Sequence, residues 1–252
     1  MFTGPKIVTD NLVFALDVSN HKCAPNPSSG ISSGITSLVT PSLCEGASGN
    51  PGTGTHTPNT ANMPAYSSDF GGVLNFSGGR GINVNEDLGT STVLTYSMWV
   101  KWPLDNVNNQ YFLDARNNGG VWYFQNYAGY NINWNSNLRY NFGGGASNSS
   151  RWAVDEWIHV IVSSDSSGSE VWINGSNRTA DAAASSSTNE NLGVNFRIGT
   201  RYTTSNSFRG LMGPIHLYRN KFDDNEALTL FNSFRDRFNA LSYENLALKA
   251  GW

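Results

Sequence analysis

Between Trp122 and Phe142 the chain sets aromatic rings among side-chain amides. Trp122, Tyr123, Phe124, Tyr127, Tyr130, Trp134 and Tyr140 are interleaved with Asn126, Asn131, Asn133, Asn135 and Asn137. Recognition of a sugar needs flat apolar faces for its C–H surfaces and fixed donors and acceptors for its hydroxyls. Tyr and Trp supply the first, Asn the second. Tyr130, Asn133 and Trp134 are therefore the candidate ligand- or partner-contacting residues. The plainer assignment, with the aromatics in a core and the Asn residues at edges and turns, stays open, above all for 120–126 and 138–142.

Other chemistry is sparse. The four histidines are His21, His56, His159 and His216, and none has a recognisable Ser-His-Asp or Cys-His context. His159 alternates with Trp157 and Ile161, the pattern of a packed, hydrogen-bonded sheet histidine. Cys23 and Cys44 bracket twenty residues of loop-like sequence, with no CxxC pair to suggest zinc. A bridge between them would restrict the unfolded chain by roughly 3 kcal/mol; a disulfide and two thiols are both compatible with the sequence. His21 near these cysteines matches no common metal-site spacing.

Composition narrows the partners. The 252 residues carry 16 Lys+Arg against 19 Asp+Glu, a net charge of -3, and charged residues are only 14% of the chain. So few cations argue against nucleic acid, where phosphate neutralisation supplies most of the affinity. No apolar run approaches the length of a transmembrane helix. The start has neither the basic nor the apolar region of a signal peptide. In place of charge stand 26 Gly, 32 Asn and enough Phe, Tyr and Trp to fill a core.

The elements that must position any site are strands. Residues 11–18 read as a short buried strand. From about 20 to 68 Ser, Thr, Gly, Pro and Asn dominate, a long loop insertion. From Gly71 onward strands are expected at 72–77, 80–84, 92–102, 110–115, 120–126, 130–134, 138–142, 156–164, 169–174, 194–202 and 211–218. Alternation is clearest in Trp157/His159/Ile161 against Ile158/Val160/Val162, and in Tyr96/Met98/Val100 against Ser97/Trp99/Lys101. Asn174-Gly175 and Asp165-Ser166-Ser167-Gly168 are turn chemistry. Many short strands between turn signals argue for an all-β sandwich or barrel. One helix is expected over 223–240. Asp223 and Glu226 form a capping pattern, and Ala227, Phe231, Phe234, Phe238 and Leu241 recur at helical spacing.

Motifs along these strands resemble a known family. Trp157-Ile158-His159-Val160 followed by Val171-Trp172-Ile173-Asn174-Gly175 resembles the central hairpin of laminin-G-like, concanavalin-A-like jelly rolls. Ile198-Gly199, Phe208-x-Gly210 and Ile215-x-x-Tyr218 are similar to that family's closing strands, and Phe222 to Ala227 to its helical extension. The opening Gly4 to Asp17 resembles the start of jelly-roll proteins of tailed phages, many of them phages of marine cyanobacteria. The likeness covers residues 4–18 and about 70–241. It implies an antiparallel two-sheet jelly-roll sandwich with one C-terminal helix. Residues 1–241 would form a single domain interrupted by the 20–68 loop, with 242–252 a tail that either straps the domain or anchors in another subunit.

The family also includes glucanases, which place paired carboxylates through Glu-x-Asp-x-x-Glu on one strand. Here the residues two beyond each Glu are Ala47, Leu88, Ile158, Trp172, Leu192, Leu228 and Leu246. None is Asp, so no catalytic residue and no enzyme activity is expected. Laminin-G-like domains often hold a rim Ca²⁺, for which Asp17, Asp69, Asp87 and Asp114 are positional candidates. No calcium-loop motif is present, and no cofactor is expected. The resemblance implies a structural protein of a phage virion, in the capsid decoration, tail or fibres. It would assemble with other virion proteins, as a homotrimer, and adhere to host surface glycan. The alternative is a stand-alone carbohydrate-binding lectin domain.

Overall fold

The computed structural model describes residues 7–20, 22–24, 35–36, 43–48, 63–84, 90–101, 110–116, 123–127, 131–134, 138–141, 155–184, 190–191, 196–201 and 206–245. Of 35–36, 43–48, 123, 125–127, 131, 134, 138–139, 141, 183–184 and 190–191 the backbone alone is described. The first strands in chain order are β1 (Leu12–Leu16), β2 (Ile35–Thr36), β3 (Leu43–Ser48), β4 (Ala65–Ser67), β5 (Val73–Ser77), β6 (Arg80–Val84) and β7 (Thr90–Ser91). Next come β8 (Leu94–Lys101), β9 (Gln110–Asp114), β10 (Tyr123–Tyr127), β11 (Asn131–Trp134) and β12 (Leu138–Asn141). The last are β13 (Ile158–Asp165), β14 (Gly168–Ile173), β15 (Ser176–Asn177), β16 (Ala183–Ala184), β17 (Glu190–Asn191), β18 (Phe196–Ile198) and β19 (Arg209–Tyr218), before the helix α1 (Asp224–Phe234).

Two antiparallel sheets form the sandwich. The first runs β15-β14-β13-β8-β19-β5-β4, with β1 also paired to β19; the second runs β16-β12-β11-β10-β9-β18-β6-β3-β2. Strand alternation puts one set of side chains from each sheet into the space between them. Tyr96, Met98 and Val100 of β8 and Ile158, Val160 and Val162 of β13 meet Ile82, Phe112, Phe124, Ile132 and Ile198 of the second sheet. The odd-numbered residues of β8 and β13 face the other way, as their alternation requires.

Two turns set the register of the β14–β15 and β13–β14 hairpins. Asn174 (φ 49) and Gly175 (φ 81) are both left-handed, the geometry of a two-residue hairpin turn that splays no strands. Asp165 Oδ1 accepts hydrogen bonds from the Ser167 N–H at 2.8 Å and the Gly168 N–H at 3.0 Å.

The helix begins as its sequence demands. Asp223 Oδ1 accepts from the Glu226 N–H at 2.8 Å, and Glu226 Oε2 accepts from the Asp223 N–H at 2.9 Å. It ends at Phe234 rather than 240, because the chain tightens into i→i+3 bonds (Arg237 N–H to Phe234 O, 3.0 Å) and then turns through Asn239 in the left-handed region (φ 50). Asn tolerates that conformation where most residues do not. Phe231, Phe234 and Phe238 nevertheless stay on one side and pack on the outer face of the first sheet with Trp99, Trp157, Ile161, Trp172 and Tyr218. Burial of the three Phe rings stabilises the docked helix by about 1.5–3 kcal/mol each. Gly213 permits this approach, since a Cβ there would lie 2.6 Å from the Phe238 ring.

The stretch from 20 to 68 is not all loop. It contributes the β2–β3 hairpin, which extends the second sheet through β3–β6 pairing (Cys44 opposite Val84), and the edge strand β4 of the first. Leu43, Cys44 and Ala47 alone gave too little apolar periodicity to announce a strand; pairing supplies what propensity does not. Cys23 is buried, and the Cys44 side chain, with the question of a bridge, falls outside the described residues. Of the tail, 242–245, with Leu241 before it, lies against the Asn174–Gly175 turn and β15. Asn174 Nδ2 donates to the Leu241 carbonyl at 2.8 Å and Ser176 Oγ to Glu244 Oε1 at 3.0 Å, while the Arg178 guanidinium sits 4.0 Å from the Tyr243 ring centroid. Among the described residues no helix is long and apolar enough to cross a membrane.

Candidate functional site

The outer faces of the two sheets differ, and the second carries the polar chemistry. Ile82 and Val84 of β6, Phe196 and Ile198 of β18, and Phe112 and Leu113 of β9 all point into the core. The residues between or beside them point outward. Register places Asn83 opposite Arg197 and Arg197 opposite Asp114, so an amide, a guanidinium and a carboxylate form one row across three strands.

A bulge completes the row. β9 slips one residue against β10 between Phe124 and Gln125, so Phe112 and Leu113 both face inward while Tyr111 and Asp114 both face outward. Arg116 follows on the same side. Its Nε and Nη2 fork onto Asp114 Oδ1 and Oδ2, both at 2.9 Å, and its guanidinium lies 4.9 Å from the Tyr111 ring centroid. The Arg201 guanidinium lies 5.7 Å from the same ring, and Arg197 Nη1 donates to the Arg201 carbonyl at 3.4 Å. Asn83, Asp114, Arg197 and Tyr111 are 2–4% exposed, whereas the Arg116 side chain is 22% exposed and Arg201 is half-buried.

The charges respond to this setting. Burial pulls the Arg197 guanidinium down, against the opposing pull of Asp114. Burial also acts to lower Arg116, and the hydrogen bonds and charge of Asp114 overcome it and hold the cation above its ordinary value. A carboxylate forked by arginine is an acceptor already oriented, not a free acid or nucleophile.

Of the residues predicted from sequence, Asn133 lies on β11 opposite Gln125 and Arg139, on the outward side of the second sheet, and is 5% exposed. Trp134 pairs with Phe124 and Leu138. The Trp134 side chain and all of Tyr130 fall outside the described residues. Asn83, Arg197 and Tyr111 were not singled out in advance. The signal was a lone polar residue between buried apolar neighbours, as in Ile82-Asn83-Val84 and Phe196-Arg197-Ile198.

The positional calcium candidates have other partners. Asp17 pairs with Arg237 Nη1 at 2.9 Å, Asp114 with Arg116, and Asp69 accepts from Ser67 Oγ at 2.8 Å; Asp87 falls outside the described residues. Among the described residues no three His, Cys, Asp or Glu side chains converge to hold a metal ion. A Ser–His pair does exist on the first sheet, with Ser97 Oγ 2.8 Å from His159 Nε2. It is sealed beneath α1, with His159 stacked 4.7 Å from Trp99 and its Nδ1 without a hydrogen-bond partner. Among the described residues no carboxylate orients it, and with His159 1% exposed it is a packing element.

Two antiparallel sheets around one core, with a polar row on the outer face of one, define a concanavalin-A-like jelly-roll domain. The family model described as the concanavalin A-like lectin/glucanases superfamily, of laminin G type, matches residues 76–227, and the chain belongs to that family. Domain 4 of AbnA, an extracellular GH43 arabinanase of Geobacillus stearothermophilus solved in complex with arabinotriose, is similar at 15% identity with a TM-score of 0.55. The match covers 87% of this chain and 98% of that one. The binding domain of botulinum neurotoxin DC in complex with SialylT is similar at 14% identity and TM-score 0.58, covering 89% of this chain and 51% of that one. The serotype D binding domain is similar at 11% identity and TM-score 0.58, covering 88% and 52%. The chain thus spans about half the length of the neurotoxin domains. No curated protein sequence matches it.

Proposed function

We infer that the chain is a non-catalytic carbohydrate-binding domain whose contact surface is the outer face of the second sheet. The observation that carries this is the row Asn83, Arg197 and Asp114 with Tyr111 beside it, fixed on strands whose other residues are core. These groups are 2–4% exposed, so they hold in place the partly exposed guanidinium groups of Arg116 and Arg201, donors that suit sugar hydroxyls. Arg116 and Arg201, the partly exposed members, are the groups a ligand reaches first, and Asn133 extends the same face. The arabinanase domain supports the reading more than the neurotoxin domains do, because almost all of it is matched and its structure holds an oligosaccharide. Glycoside hydrolysis needs two carboxylates flanking the bond. On this face Asp114 is the carboxylate among the described side chains, and Arg116 occupies it.

The test is calorimetric titration with a panel of arabino-, xylo-, gluco- and sialyl-oligosaccharides, alongside a turnover assay on the parent polysaccharides. Binding without turnover, weakened about tenfold or more by Arg201→Gln, is the expected result. Turnover, or binding indifferent to Arg201 and Asn133, contradicts the reading.

A second reading is favoured by the Gly4 to Asp17 run. It sets the domain in a tailed-phage virion, made in the host cytoplasm and assembled with other virion proteins as a homotrimer, with glycan adhesion as its use. Mass spectrometry of purified virions tests it: copies on the particle support it, and absence from the particle refutes it.

A further inference from the structure

The seam between α1 and the first sheet holds two imidazoles. His159 and His216 are 1% and 2% exposed. Each lies directly against a ring of the helix, His159 6.1 Å from Phe231 and His216 5.7 Å from Phe234. Their Nδ1 atoms, and the indole Nε1 atoms of Trp99 and Trp157 in the same seam, have no hydrogen-bond partner. These four nitrogens are under-satisfied at one interface. A buried polar atom without a partner weakens the interface that hides it.

We propose that α1 is an acid-released cover: protonation of the two seam histidines lifts the helix from the first sheet and bares its aromatic outer face while the inter-sheet core persists. A charged imidazolium needs water, and α1 is what separates both rings from it. Stacking on Trp99 returns part of that cost to one imidazolium, but a second charge in the same seam repels the first. Burial draws His159 well below its ordinary range, His216 adding to the effect. Burial likewise draws His216 down to about 4, with Asp17 pulling the other way. At pH 7 both rings are therefore neutral in the docked state, and both take up a proton more readily once α1 is off.

The other charged groups around the seam lie at its ends. Asp17 and Arg237 pair at the C-terminal end of the helix, where Arg237 also donates to the Phe70 carbonyl at 2.6 Å and to the Gly72 carbonyl. Asp224 accepts from Trp172 Nε1 at 2.7 Å at the N-terminal end, and Glu226 stands near Tyr218. Lys221 pairs with Glu170 at 2.8 Å on the flank. The Asp17–Arg237 pair holds the same end of the helix, so it needs its own control.

Amide hydrogen exchange of the full chain at pH 7 and pH 4, corrected for intrinsic rates, tests the proposal. Expected is a loss of about 100-fold or more in protection over Ala227–Phe234 at pH 4, with β8 and β13 still protected. The His159→Gln/His216→Gln variant should keep α1 protected at pH 4, and Asp17→Asn should behave as wild type. Retained α1 protection at pH 4, or joint loss across α1, β8 and β13, overturns it. So does release in Asp17→Asn at pH 7. If the double variant does not fold, His216→Asn alone must narrow the pH 4 loss, and failure to do so counts against the proposal.

Discussion

The two outer faces of one sandwich have opposite fates. On the first sheet, outward residues are Trp99, Trp157, Trp172 and Tyr218, and an amphipathic helix closes over them. On the second, outward residues include Asn83, Asp114, Arg197 and Tyr111. Strand alternation makes both possible, because the residues that fill the core leave the other face free to vary. Both sets are buried, but the aromatic one is sealed by a helix, while the polar one is held in fixed register beneath the partly exposed Arg116 and Arg201. The helix therefore belongs to stability, and the polar row is the part of the surface proposed for binding.

Removing the largest ring tests the first half of this contrast. Trp99 is fully buried and stacked on Phe238 at 4.7 Å and Phe231 at 5.7 Å. Trp99→Ala should cost about 3–5 kcal/mol in urea denaturation and leave oligosaccharide affinity unchanged in the folded fraction. Acid comes next. With His216 at about 4 when folded and near 6.5 unfolded, its contribution to stability is whole above about pH 6.5. It falls by roughly 3 kcal/mol as pH drops to 4. Denaturation midpoints across that window should show the fall, and His216→Gln should flatten it. On the polar face, Asp114→Asn removes the fork that Arg116 holds. Since Arg116 is partly exposed, a loss of about 2 kcal/mol is expected, together with weakened sugar binding. A change in affinity of the same size from Trp99→Ala would erase the contrast. Smallest is Asp223→Ala, which removes a helix cap worth about 1 kcal/mol and should move the thermal midpoint by a few degrees without touching affinity.

Local chemistry was legible from sequence. The alternation of β8 and β13, the turns at Asp165–Gly168 and Asn174–Gly175, and the Asp223/Glu226 cap are all decided within a few residues, and each stands in the structure. Two irregularities were not legible. The bulge of β9 sends Phe112 and Leu113 inward together, and β19 shifts register between Met212 and Ile215, around Pro214, which cannot donate to a ladder. The polar row was hidden for a different reason. Asn83, Asp114 and Arg197 lie far apart in the chain and meet only through pairing of β6, β18 and β9. The Trp122–Phe142 stretch drew attention because its chemistry is contiguous. Asn133 is the member of the predicted set that the described side chains place on the polar face.

The central claim is that sugar meets the second sheet and not the helix-covered first. Amide chemical-shift mapping, with the oligosaccharide that binds tightest in the panel, tests it most directly. The account predicts that the largest shifts fall at Asn83, Tyr111, Arg116, Asn133 and Arg201, with α1 unmoved. Shifts concentrated at Asn177, Asp224 and Leu228, on the helix side, would contradict it, as would a panel in which no oligosaccharide binds.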